Sequence, residues 1–421
     1  MTDTFAEGVP RDPALDSTLA LLSRGYTFIA EGCRRNRADA FETRLMLRGV
    51  VCTLGEDAAR MFYEPGRFTR RGAMPETTLR LLQDRGSVQQ LDGEAHDARK
   101  RLFLALMTPE ARQRLLDIAA DEWDRRLAEW PHRDRIVLLW EVEAILCAAV
   151  CRWAGVPLAD ADISRRTRQF AETIAGAGGF GPRTWRALWL RGRSESWLRG
   201  IVREARSGHL APGDGTALYA LAVRRDVDGG RLDVDSAAVE LHNVIRPTVA
   251  VARFVMFAAL ALHQHPKRRI WLRDGGDQAL TLFAHEVRRF YPFFPAVGGR
   301  VRVPFEWHGR RFREGDWVLL DLYGTNHDPR IWEDPERFWP ERFRDRRIGA
   351  FELVPQGAGE YQRGHRCPGE GVTIDLLKQA VARLAGTVDY EVPEQDLTVD
   401  LRRMPAQPAS GFVIAKVRPA G

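Results

Sequence analysis

Apolar residues recur at helical spacing over most of the 421 positions. The pattern predicts helices over 17–39, 55–63 and 94–106, and through most of 109–201 with a glycine-rich break near 175–181. Period-two alternation over 41–54 predicts a hairpin, and 301–307 and 317–323 read as strands. Residues 1–16 form a polar arm, and 74–91 has no clear period. The longest helical pattern covers 235–263, with Asp235 as its expected N-cap. About 28 residues at about 1.5 Å each span about 42 Å, enough to cross a whole domain. Pro247 lies inside it, where a proline removes a backbone hydrogen bond and bends the helix. Tryptophans at 123, 130, 140, 153, 185, 189 and 197 are expected in the core and at helix contacts. No linker divides the chain, so the expected architecture is a single, mainly α domain over 1–421 with a small β region.

Three features stand out against this helical background. The first is the stretch QGAGEYQRGHRCPGE at 356–370, followed by the amphipathic run VTIDLLKQAVARLA. This is a glycine-rich loop feeding a helix, with Cys367 at the entrance. A thiolate there faces unpaired backbone N–H groups and the positive end of the helix dipole, and it suits a metal. Thiolate ligation of haem iron favours O–O cleavage. Gly364 and Gly369 would let the backbone lie against a flat macrocycle, and His365 could donate to an acidic edge of it. The plain alternative is a buried free cysteine beside a turn.

The second feature is Arg246, set in the apolar middle of the long helix. A buried unpaired charge is very costly. Arg246 is therefore either paired with an internal carboxylate or waiting for an anionic ligand. The third is a ring-rich, proline-rich segment, Tyr291 to Val297, which suggests an apolar cavity wall carrying Phe293, Phe294, Pro295 and Val297. Glu286, Arg289 and Arg342 could form an ion-paired lock near it. His96 and Lys100, four apart on one helix face, are either solvated or hydrogen-bonding partners for haem propionates.

Composition adds limits. The net charge is +6 and all but four of the 63 basic residues are arginine, spread among acidic ones, so nucleic-acid binding is not indicated. Weak contact with anionic membrane surfaces stays open. Five cysteines at irregular spacing, with no CxxC, point away from zinc and disulfide frameworks and toward a reducing cytoplasm. The first sixteen residues have no apolar signal core, and no transmembrane segment is expected.

The order of three motifs is specific: Glu286-x-x-Arg289, then Pro335-x-x-Phe338-x-Pro340-Glu341-Arg342-Phe343, then His365-x-Cys367-x-Gly369. The chain resembles the cytochrome P-450 haem-thiolate superfamily. Arg246-Pro247, together with LYGTNHDPR, EVRRFYPF, GHRCPGE and RMPAQPASGFV, resembles its bacterial fatty-acid peroxygenases more narrowly. The resemblance implies a triangular helical domain with haem b between the long helix and the cysteine loop. Cys367 would be the axial iron ligand, with His365, His96, Lys100 and Arg70 around the cofactor. It implies hydrogen peroxide as co-substrate, a long-chain fatty acid as substrate and no redox partner protein. Monooxygenases of the superfamily carry an acid–threonine pair where this chain has Arg246-Pro247. The substrate carboxylate, held by Arg246, would replace that pair as acid and base. In resembling sequences, hydroxylases tend to have glutamine where a decarboxylating member has histidine. Gln89 falls there, so hydroxylation at the alpha or beta carbon is expected. Decarboxylation to a terminal alkene and a reductase-dependent monooxygenase are the alternatives. Gln83 stands where the resemblance would put an aromatic wall residue.

Overall fold

The computed structural model describes residues 8–225 and 230–420. Of the polar arm, residues 1–7 lie outside that part.

The long apolar pattern forms a central helix in two runs, Val234–Ala250 and Ala252–Gln264. Its first half packs on Leu138–Trp153, Asp160–Ala175 and Pro182–Ser207, and its second on Lys267–Phe290 and Glu370–Gly386. Burial on all sides is what an all-round apolar helix requires. The helix is long and apolar enough to cross a membrane, but 94% of its apolar window is buried inside the protein. The N-cap is Asp233, not Asp235: its carboxylate accepts the Ser236 N–H at 2.8 Å. Asp235 sits two residues further in, within the first turn, and pairs with Arg199 at 2.6 Å. Pro247 supplies no N–H, and the helix reorganises just beyond it. The Val251 N–H bonds back only three residues, to the Thr248 carbonyl.

The hairpin at 41–54 forms as Ala40–Leu45 and Arg48–Thr53. It belongs to a five-stranded sheet, continued by Trp317–Asp321, Ala296–Val301 and Phe68–Thr69. Arg48–Thr53 runs parallel to Trp317–Asp321, with Val51 opposite Val318, and the other pairs are antiparallel. The expected strand over 301–307 divides. Ala296–Val301 joins the sheet, while Phe305–Trp307 forms a separate hairpin with Arg310–Phe312. Pro304, which cannot donate to a ladder, lies at the break. The unassigned stretch 74–91 contains a helix, Glu76–Leu82, and a single turn, Val88–Gln90.

Trp123, Trp130 and Trp153 are core residues, as expected. Trp140, Trp185 and Trp189 are not: they are 66%, 67% and 60% exposed. Helical spacing alone did not separate the outer face of Pro182–Ser207 from its buried one.

Glu286, Arg289 and Arg342 meet in one buried cluster. Glu286 takes both Nε and Nη2 of Arg289 at 2.8 Å and Arg342 Nε at 3.2 Å, and also accepts the Trp339 N–H at 2.7 Å. Arg289 donates onward to the Asn326 carbonyl, and Arg342 to those of Glu333, Asp334 and Arg337. These bonds tie the helix Lys267–Phe290 to the irregular segment that precedes the cysteine loop.

Candidate active site

The loop before Glu370–Gly386 is held from both sides. The Cys367 N–H donates to the Gln356 carbonyl at 3.1 Å, and Gln356 Nε2 faces Cys367 Sγ at 3.9 Å while donating to Thr373 Oγ1 at 3.0 Å. Glu370 binds Arg366 at 2.6 Å and Arg288 at 2.5 Å beneath the loop. Gly357 adopts φ +89°, and a Cβ there would stand 2.7 Å from Tyr63 Oη. Gly364, expected to lie open toward a flat ligand, is needed by its own loop: a Cβ would stand 2.6 Å from the Glu360 carbonyl oxygen.

Burial pushes the Cys367 thiol up, against the Gly369 N–H and Lys100, which favour the thiolate. Desolvation outweighs the pull of the helix terminus, and a thiolate here is favoured by a cation beside it in the cavity.

That cavity, about 290 Å³, lies between Cys367 and the central helix. Its lining includes His96, Lys100, His365, Gln89, Phe293, Phe294 and Val297, with Arg246, Pro247 and Thr248 opposite the cysteine. No Asp or Glu lines it among the described residues. His96 and Lys100 are buried, not solvated. Lys100 Nζ donates to the carbonyls of Gly364 and Arg366, and the His96 and His365 rings lie 4.1 Å apart. Burial holds both imidazoles below the usual histidine range, so they are neutral and each offers one N–H. Arg70 sits a step back from the lining. It donates to the Gly298 carbonyl at 2.8 Å and lies over the Phe62 ring, and its charge reaches His365.

A second cavity, about 180 Å³ and almost wholly apolar, is lined by Leu21, Leu22, Met74, Ile174, Phe293, Phe294, Pro295 and Met404, among others. Arg246 lines both cavities. The residue is 5% exposed, and Nη2 donates to the Leu82 carbonyl at 2.5 Å, while Nε has no partner. No carboxylate forms an ion pair with it among the described residues. Burial, then repulsion from Arg191, pushes it down to about 9, so it stays cationic at neutral pH.

Sequence reasoning missed Glu240. This buried carboxylate, six residues before Arg246, accepts the Val88 N–H at 2.7 Å and Arg99 Nη1 at 2.6 Å. Its other oxygen accepts Asn243 Nδ2, which also donates to the Gln83 carbonyl. One helix face therefore clamps the segment carrying Gln83 and Gln89. Gln89 Oε1 is left without a partner at the cavity, whereas Gln83 Oε1 accepts Gln90 Nε2 at 2.7 Å. An acidic residue so deep in an apolar helix was the available signal. The tail-cavity residues from 21–29, 174–180 and 404–405 gave none, because only the fold brings them together.

A cytochrome P450 family profile matches residues 279–410, which hold the Glu-x-x-Arg helix and the cysteine loop. Among curated proteins, rhazimal synthase of Alstonia scholaris is 32% identical over 208 residues. That match covers 42% of this chain and 40% of that protein, so less than half of its length is spanned. Likeness to solved structures extends much further. Cytochrome P450EX alpha (CYP152N1), solved with myristic acid, is 40% identical with a TM-score of 0.95, over 99% of this chain and 100% of that one.

The chain belongs to the CYP152 cytochromes P450.

A cytochrome P450 OleT variant in complex with arachidonic acid is 34% identical, TM-score 0.95, over 98% of this chain and 99% of that one. As a cytochrome P450, this protein is an oxidoreductase whose cofactor is haem. The residues present fit that group. A single cysteine lines the cavity, most of the remaining wall is apolar with Gln89, Arg246 and Thr248 among its polar members, and Lys100, His96 and His365 stand together at one side, where propionates need donors.

Proposed function

We propose that this protein is a hydrogen-peroxide-dependent peroxygenase that hydroxylates long-chain fatty acids at the alpha or beta carbon. The observation that carries it is Arg246: a buried cation with no carboxylate partner, at the junction of the cysteine cavity and the apolar cavity.

Haem held by Cys367 supplies, when bound, O–O cleavage and oxidation of the nearest C–H bond. The protein's own part is placement. The guanidinium offers a planar fork to a carboxylate. A fatty-acid carboxyl, with a reference pKa of about 4.3, is ionised at neutral pH. The tail then fills the apolar cavity, and each buried methylene contributes about 0.8 kcal/mol before ordering losses. That contribution hardly distinguishes one methylene from the next, so Arg246 sets the register and the tail sets the affinity. With the carboxylate pinned at the junction, C2 and C3 are the carbons brought into the cysteine cavity.

Among the described residues no acidic side chain lines that cavity, and Glu240 is committed to Val88 and Arg99. The pinned carboxylate oxygens therefore serve as the acid and base. They can take a proton from hydrogen peroxide and return it to the departing oxygen. This supports peroxide, rather than a reductase and dioxygen, as the source of oxidant.

Hydroxylation is favoured over decarboxylation by Gln89, whose unpartnered amide oxygen stands at the cavity and which has no proton to give as an imidazolium has. With myristic acid and peroxide, chromatography is expected to show 2- or 3-hydroxymyristic acid. Gln89→His is expected to raise the share of the one-carbon-shorter alkene. A dominant alkene from the unaltered protein would overturn the hydroxylation reading.

A further inference from the structure

Besides Trp140, Ile270 and Val303, six large apolar side chains are well exposed: Leu15, Leu19, Leu47, Phe180, Trp185 and Trp189, from 59% for Phe180 to 84% for Leu15. They come from three distant segments. The fold gathers the first three: the Leu47 N–H bonds Asp16 Oδ2, and the Met46 N–H bonds Thr18 Oγ1, both at 2.6 Å. The hairpin tip therefore lies on the start of the first helix. Phe180 lies two residues before the helix Pro182–Ser207, and Trp185 and Trp189 are one turn apart on its outer face. The two groups meet at the apolar cavity, which is lined by Thr18, Leu22 and Met46 from one side and by Gly179 and Phe180 from the other. Soluble monomers seldom expose contiguous apolar surface on this scale without a partner.

Arginines stand beside the patch, and Asp16, the carboxylate between Leu15 and Leu47, is taken up by the N–H groups of Thr18 and Leu47. Arg183 lies close enough to Arg403 to repel it, and Arg193 stacks over Trp189 at 5.1 Å. Asp400 next to Arg403 is engaged by Arg402 at 2.8 Å. Exposed tryptophan and leucine interleaved with arginine suit the boundary between lipid headgroups and acyl chains.

We propose that this face docks reversibly on an anionic lipid bilayer, setting the mouth of the apolar cavity on the membrane surface. Leucine and tryptophan side chains enter the acyl boundary, and Arg183 and Arg403 face lipid phosphates. Partial insertion of a few side chains gives peripheral binding that weakens with salt. The benefit of such docking rests on the fatty-acid reading, because a long-chain acid resides in the bilayer. The docking itself does not depend on turnover.

The test uses purified holoenzyme and sedimentation with vesicles of phosphatidylcholine, alone or mixed with phosphatidylglycerol. The protein is expected to pellet with the mixed vesicles, less so in high salt, and only weakly with phosphatidylcholine alone. Leu19→Ser with Leu47→Ser, or Trp185→Ser with Trp189→Ser, is expected to weaken binding by about tenfold or more. Arg183→Ala with Arg403→Ala is expected to abolish the preference for the anionic lipid. None of these side chains lies in the cysteine cavity, so peroxide turnover of a short, freely soluble acid should stay unchanged and reports that the variants fold. Protein that stays in the supernatant with mixed vesicles overturns the proposal. So does serine-variant binding equal to the unaltered protein, or a patch that serves only to pair two copies, seen as a dimer that the serine variants convert to monomer without any vesicle binding. Failure of the fatty-acid reading would appear separately, as vesicle binding without fatty-acid oxidation.

Discussion

Arg246→Ala is expected to lower kcat/KM for fatty-acid oxidation by about 10²–10³-fold, which corresponds to about 3–4 kcal/mol. Haem content and Tm should stay close to those of the unaltered protein. The large loss follows from two roles in one side chain. The guanidinium holds the carboxylate, and among the described residues no Asp or Glu lines the cysteine cavity to stand in for it. Stability is spared for the opposite reason. Without a ligand Arg246 is a buried cation with one carbonyl partner and an unpartnered Nε, so removing it relieves a desolvation cost. An arginine placed for structure would instead show a large fall in Tm. Arg246→Lys should keep part of the activity, since an ammonium lacks the planar fork. The pH dependence follows from the same group. Arg246 is held down to about 9, below its unfolded value, so the cation opposes folding at all lower pH and that opposition fades as pH rises through about 9. A bound carboxylate pairs the cation and raises it again. Fatty-acid affinity should therefore be full between the ionisation of the acid, at about 4–5, and about 9, and decline above.

Cys367→Ala is expected to abolish oxidation altogether. The reduced protein with carbon monoxide should also lose the red-shifted Soret band of thiolate ligation. The other four cysteines, Cys33, Cys52, Cys147 and Cys151, are buried away from this cavity, and none lines it. No second thiolate can take the place of Cys367. Retention of that band in the variant would show the ligand assignment to be wrong.

The sequence carried the fold class, because long helices announce themselves by period and because the Glu-x-x-Arg, Pro-Glu-Arg-Phe and cysteine-loop segments sit in a telling order. Cys367 and Arg246 were legible for a physical reason: each is an expensive group in an apolar setting. The same logic applies to Glu240, but its partners Val88 and Arg99 lie about 140 to 150 residues away in the chain, so only the fold shows what it clamps. Local pattern failed where tertiary context decides. Trp185 and Trp189 have the composition of a core helix but face outward. Pro304 splits what reads as one strand. Asp233 rather than Asp235 caps the central helix, since caps are decided by a single backbone turn. The tail cavity draws on eight separate stretches of chain, and no periodicity could have joined them.

The most direct measurement is product formation from myristic acid and from its methyl ester, each with hydrogen peroxide and no reductase. The ester has the same tail and the same C2 and C3 hydrogens but no anion for Arg246. The account predicts hydroxylated product from the acid and next to none from the ester. Equal oxidation of both, at any position, would contradict it.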